Sequence, residues 1–477
     1  QQWSAMEKLA EYLNVAQAQA RIAELAEAVG TTEFAQVRNL DYVLSPYELY
    51  PLAPRTPLPL PRIVAFAVDM DGTSTTTEPL ALHSLEYMVR RFTNRSTAAE
   101  WAGLDPVLDH PYVIGNSNFR HTEFLVGRYR DALDHEAFKQ AVFEAVCWTL
   151  ACMTDPQRRR DVTQNARNVG LAPLLADPDF VTLTTGGTVT AENVARLAAP
   201  LVRRHGGAFR YEHLSELVSA ALDVYYFRYH AIMRKIEEGQ GEELSHELLG
   251  ESGRRLIEPM PGYDVFLPLV KGWLGPEVDA LYERLRDHLL RHTELGHTAA
   301  ELDAWRPRLR RLAAYFRAHP AKIGLVTASI AYETHACMHE VIRVMAEDVQ
   351  HWPVAAEHRD RLAAHLTDYR AVFDGFICAT DACEPRLKPH RDLYSLALFQ
   401  MSVPRRDYAY CMGVEDTEPG VIALRAAGIG CAIALPNHDT SRQDYSAATA
   451  VVRGGLPEML LARNLFLSDE ATAAVDA

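Results

Sequence analysis

The chain has 477 residues, of which 48% are hydrophobic and 23% charged. That is a globular composition with a sizeable core, too long for one simple domain. Its net charge of −15 argues against a general nucleic-acid surface, which needs a basic face, but allows a small phosphorylated molecule held by a metal and a few local cations. No stretch approaches about 18 uncharged apolar residues, so no membrane span is expected.

The seven cysteines, at 147, 152, 337, 378, 383, 411 and 431, contain no Cys-x-x-Cys and no His partners at zinc spacing. They read as reduced, mostly buried thiols of a cytoplasmic protein. The chain opens on Gln1 rather than Met, so its native start and any removed leader stay open.

Residues 3–29 space Met6, Leu9, Leu13, Ala16, Ile22, Leu25 and Val29 at near-helical intervals before Gly30. This predicts a helix docked on the core, within an N-terminal helical segment over 1–50. Residues 51–61 hold five prolines and predict a stiff, extended connector.

Ile63 to Val68 is a short, all-apolar run that stops at Asp69-Met-Asp-Gly-Thr73. It reads as a buried parallel strand with two carboxylates, Asp69 and Asp71, at its C-terminal end. Open α/β sheets keep their active sites at that end. The pair suits one nucleophile and one general acid/base, with a divalent metal between them and a phosphate.

Residues 80–258 are rich in Ala, Leu, Arg and Glu, with helical spacing over 134–152 and 211–238. They predict a large helical insertion after the first strand. Arg158-Arg-Arg160 reads as a solvated helix face. Thr184-Thr-Gly-Gly-Thr188 lacks a P-loop Lys and reads as a plain turn. Pro259 to Gly262 leads back into a core helix. Two further helical inserts are expected near 272–303 and 340–370, with a helix over 305–319 between them.

Lys322 to Val326 is a second strand, followed by Thr327 and Ala328. The Thr327 hydroxyl and the Ala328 N–H can donate to phosphate oxygens, and a helix from about Ile330 would add its positive end. Phe373 to Asp381 is a third strand, followed by Lys388-Pro-His-Arg-Asp392. Lys388 would offset the repulsion between carboxylates and a phosphate dianion. Asp392 reads as a local cap or orienting group, and Arg386 as a second cation. Tyr408 to Val414 is a fourth strand, ending in Glu415 and Asp416. Cys431 to Pro436 gives a fifth, and Val451-Val452 a sixth.

Asp69-Met-Asp-Gly-Thr73, Thr327, the Lys388 to Tyr394 segment and Gly413-Val-Glu-Asp416 with Gly420 occur in the order of four motifs of the haloacid dehalogenase-like (HAD) phosphohydrolase superfamily. They resemble its β-phosphoglucomutase and phosphoglycolate phosphatase subgroup most. Glu78-Pro79-Leu80 matches that subgroup too. Thr76 and Ala81 depart from it, where relatives often have Asp and His. The resemblance covers roughly 61–80, 259–271 and 305–462.

It implies a doubly wound parallel sheet with helices on both faces. The catalytic core would be 62–79 and 259–477, with 80–258 as an enlarged helical cap. It also implies that Asp69 attacks phosphorus to form an aspartyl-phosphate, with Asp71 as acid and then base. Thr327, Ala328 and Lys388 would bind the phosphoryl group, and Asp69, Asp71, Glu415 and Asp416 would hold Mg2+. The activity so implied is a Mg2+-dependent phosphohydrolase acting on a small phosphorylated metabolite, with no nucleic-acid or membrane partner. A phosphomutase, or a non-catalytic binding protein on the same fold, is the alternative. The oligomeric state stays open.

Overall fold

The computed structural model describes residues 11–40 and 43–473. Its first strands, β1 (Phe34–Arg38) and β2 (Tyr47–Pro51), pair antiparallel, with Phe34 opposite Pro51. Six more form one sheet: β3 (Ala65–Asp69), β4 (Lys322–Val326), β5 (Gly375–Ile377), β6 (Cys411–Glu415), β7 (Cys431–Ala434) and β8 (Ala450–Val451). Their order is β5-β4-β3-β6-β7-β8, and every neighbouring pair is parallel. The chain winds outward one way from β3 through β4 to β5. It then returns to the other side of β3 as β6 and winds on. This is a doubly wound α/β sheet, and the reversal leaves a crevice at the carboxyl ends of β3 and β6.

Every residue of β3 is buried, as expected where helices cover both faces of a parallel strand. Alternation divides its side chains. Phe66 and Val68 belong to one core, where Phe66 meets Phe266 edge-on with ring centroids 5.2 Å apart. Ala65 and Ala67 belong to the other, with Leu393, Tyr394 and Leu424. The small alanines suit the helices Asp392–Gln400 and Glu418–Ala426, which supply those side chains.

Between Glu78 and Leu249 the chain is helical, with no strand. The helices His135–Cys152 and Leu214–Glu237 lie where the spacing puts them. Both are buried on most sides because apolar residues surround them. Among the described residues, no helix is long and apolar enough to cross a membrane. All seven thiols are free, and Cys147, Cys337, Cys378, Cys411 and Cys431 are buried.

Three expectations need correction. The N-terminal helix runs Val15–Val29, capped by Asn14 and ended by Gly30 in the left-handed region, but it buries no residue. Its apolar positions are mostly alanines, too small to hold a helix on a core, so caps and propensity carry it. Met6 and Leu9 lie outside the described residues. Second, the segment expected to be helical up to residue 50 holds β1 and β2, whose burial alternates along Phe34–Arg38. Third, Arg158 is not solvated. It is 2% exposed and ion-paired with buried Asp223, its guanidinium 4.4 Å from the Tyr226 ring centroid.

Candidate active site

The site is built at the crevice. Val68 of β3 pairs with Val414 of β6, so the next residues, Asp69 and Glu415, leave the sheet side by side. The turn after Asp69 is closed by Ser74 and Thr75, whose backbone N–H groups donate to the Met70 carbonyl at 2.8 and 3.0 Å. Gly72 has φ +77°, and a Cβ there would collide with the Asp416 carboxylate. Glycine is what lets this turn pass so close to the end of β6.

Lys388 comes from the loop before the helix Asp392–Gln400. Its ammonium donates to Asp69 and, at 2.7 Å, to Glu415 Oε1. Glu415 is also held by the Tyr394 hydroxyl and, at 3.0 Å, by the Thr417 hydroxyl. Asp416 accepts from Thr73 Oγ1 at 3.2 Å and Asn437 Nδ2 at 2.8 Å. Ligand oxygens of Asp69, Glu415 and Asp416 all lie within 4.8 Å of one another.

Asp71 stands apart from that group, which corrects its expected place among the Mg2+-holding carboxylates: hydroxyls arriving after β4 draw its side chain away. Its carboxylate accepts from Thr327 Oγ1 at 2.9 Å, from Ser329 Oγ at 3.0 Å and from the Thr77 hydroxyl. Thr327 is fully buried and its hydroxyl is committed to Asp71. Ala328 reaches the cavity beside Ser329.

Burial raises the Asp69 carboxyl well above the usual range, Glu415 adds to this, and Lys388 opposes it. Asp416 is raised by burial and by Asp69 and Glu415. For Lys388, burial works against the charge, but Asp69 and Glu415 outweigh it and hold the ammonium protonated. Three buried carboxylates thus cluster around one ammonium, which Asp69 and Glu415 bind directly. Hard oxygen donors carrying surplus negative charge suit a Mg2+ ion, so the residues fit that metal. Glu415 is held by Lys388, Tyr394 and Thr417, more side chains than bond Asp69 or Asp416, so those two would be the freer ligands.

These groups meet a partly open cavity of about 50 Å³. Asp69, Asp71 and Lys388 line its sheet side, and Asn118, His121 and Tyr225 come from the inserted helices. Glu78 also lines it, its carboxyl pushed up to about 8 by burial and by Asp71, Asp439 and Asp69.

Arg386 does not reach this site. Its guanidinium forks onto Asp392 at 2.9 and 3.0 Å and reaches Glu48 of β2 at 3.0 Å. This corrects its reading as a second phosphate cation and gives Asp392 its local partner. Sequence reasoning missed Ser329, Asn437 and His121. Ser329 sits two residues past Thr327 and was within reach of a closer reading. Asn437 and His121 carry no signal, because only the folded chain brings them to the crevice.

No protein-family model matches this chain, and no curated protein does. Among solved structures it is similar to CbbY from Rhodobacter sphaeroides in complex with phosphate, at 12% identity and a TM-score of 0.36, over 83% of this chain and 96% of that one. It is also similar to a β-phosphoglucomutase-like protein from Thermotoga maritima, at 13% identity and 0.30, over 84% and 97%. A HAD family hydrolase from Deinococcus radiodurans R1, with bound phosphate and sodium, is similar at 13% identity and 0.33, over 86% and 99%.

Proposed function

We propose that this protein is a Mg2+-dependent phosphohydrolase that cleaves a small phosphorylated metabolite through an aspartyl-phosphate on Asp69. The observation that carries the reading is the Lys388 ammonium between Asp69 and Glu415 at the sheet's switch point, with Asp71 facing the same cavity. In this reading the core is 62–79 and 259–477, and the helices of 80–258 close over it as a cap.

A carboxylate oxygen of Asp69 attacks phosphorus. The new P–O bond forms as the bond to the leaving oxygen breaks, and Asp71 gives that oxygen its proton. Asp71 then takes a proton from water, whose oxygen attacks phosphorus and breaks the bond to Asp69. Inorganic phosphate leaves, and Asp69 is restored. Lys388 neutralises charge on the phosphoryl oxygens, where a fixed cation in a water-poor site acts strongly. The Ala328 N–H is an additional donor. Mg2+, held by Asp69 and Asp416, would supply the remaining positive charge and orient the phosphate. The Thr327 and Ser329 hydroxyls position Asp71.

The test is phosphate release from a panel of phosphomonoesters with and without Mg2+. Release that needs Mg2+, and that falls at least about a thousandfold in Asp69→Asn, supports the reading. Full activity in a folded Asp69→Asn variant removes it.

A further inference from the structure

The inserted helices bring one buried imidazole, that of His121, to the cavity. His121 is 7% exposed, lines the cavity, and bonds no other side chain; the Asn116 backbone is the one group placed to take a bond from its ring. Burial pushes its imidazole down to about 3, opposed only by a hydrogen bond to the Asn116 backbone carbonyl, so the ring is neutral, with its N–H turned to that carbonyl and its other nitrogen a free acceptor. A buried polar group left unpaired is costly. Its neighbour Asn118 is by contrast held, donating to Tyr226 Oη at 3.3 Å and accepting from Tyr225 Oη at 3.4 Å. Among the described residues lining the cavity, Lys388 is the one cationic side chain, and Asp69 and Glu415 already share it. Asp71 and Glu78 add carboxyl groups to the same wall.

We infer that His121 is a specificity-determining residue that accepts a hydrogen bond from a hydroxyl on the leaving group, and that the cavity selects phosphomonoesters of small uncharged alcohols over those with a second anionic group. This rests on the phosphoryl-transfer reading above. A second phosphate or a carboxylate would have to give up its water in this space with no free cation to pair with it, a cost that an uncharged hydroxyl does not meet. A hydroxyl would complete the hydrogen bonding of His121. A site built to bond a hydroxyl rejects the analogue that lacks one.

Three probes of similar size separate these effects: 2-hydroxyethyl phosphate, ethyl phosphate and phosphoglycolate, each with Mg2+. In the parent, kcat/KM for 2-hydroxyethyl phosphate should exceed that for ethyl phosphate by about five- to tenfold, with phosphoglycolate poorest. In His121→Phe, which fills the space without the nitrogens, the hydroxyl preference should fall to about one. In His121→Gln, which restores a donor and an acceptor, part of it should return. A preference unchanged in His121→Phe, or phosphoglycolate as the best probe, overturns the inference and leaves the phosphohydrolase reading standing. No phosphate release from any of the three or from the wider panel overturns both.

Discussion

Gly115 faces Thr417 so closely that a Cβ on the glycine would stand 2.5 Å from the threonine methyl. This contact brings the loop of the inserted helices against the end of β6, beside Glu415 and Asp416. The loop is fastened again by Ser117 on Glu384 and by Gln443 Nε2 on the Ile114 carbonyl at 3.2 Å. Gly115 has φ +86°, so alanine there adds both backbone strain and a collision. Gly115→Ala should lift the loop from the site, raise KM and lower kcat, with kcat/KM down about tenfold or more, as expected when bound geometry loosens. Steady-state kinetics check this, and unchanged constants would show that the loop does not seal the cavity.

Metal binding should appear as stability. If Asp69 and Asp416 hold Mg2+, the folded state gains about 2.7 kcal/mol at a hundred times the dissociation constant. Thermal unfolding with added Mg2+ or with a chelator should show a rise in Tm for the parent. Asp416→Asn should lose most of that rise. An equal rise in the variant would place the ion elsewhere.

The Arg158–Asp223 pair gives a prediction far from the chemistry. Both side chains are 2% exposed or less, and Asn165 Nδ2 adds hydrogen bonds to Asp223 at 3.2 Å. Arg158→Met leaves a buried carboxylate without its cation and should cost about 3–5 kcal/mol. The double variant Arg158→Met, Asp223→Leu should recover much of that loss, since two apolar side chains need no partner. Denaturant titration of the parent, of Arg158→Met, of Asp223→Leu and of the double variant measures the coupling.

Glu33 ties the N-terminal part of the chain to the core. It accepts from fully buried Arg425 Nη2 at 2.7 Å and from Arg55 Nη2 at 2.7 Å. Hydrogen bonds from Arg55 and Arg425 lower its carboxyl from 4.5 to about 2. A carboxyl depressed in the folded state adds stability that is complete above its unfolded pKa and is lost as pH falls toward the folded one. The stability difference between the parent and Glu33→Gln should therefore be largest near neutrality. It should shrink from about pH 5 to about pH 2. A difference that stays flat across that range would show the pair contributes nothing through charge.

The sheet and the residues at its strand ends were legible in the sequence. Buried parallel strands are short, uniformly apolar and cut off sharply, and Asp69, Lys388 and Asp416 follow such cut-offs. The β1–β2 hairpin was missed because its alternation spans only five residues a strand and has no short turn signal between them. Arg158 looked like surface because a charge run gives no sign of a carboxylate waiting in another helix, 65 residues away. Asp71 illustrates a finer limit. The motif puts it next to Asp69, but its orientation is set by the Thr327 and Ser329 hydroxyls, which arrive from β4.

The ion pair between Asp69 and Lys388 joins positions 319 residues apart. At a synthesis rate of about 5–20 residues per second, the aspartate waits roughly 15 seconds to a minute on the ribosome before its lysine emerges, and longer for Asp416. The strand that carries it must stay solvated or shielded for that interval, because burying a lone carboxylate is unfavourable. A nascent chain cut short before β6 would carry Asp69 and its Lys388 partner but neither Glu415 nor Asp416, the carboxylates that complete the cluster.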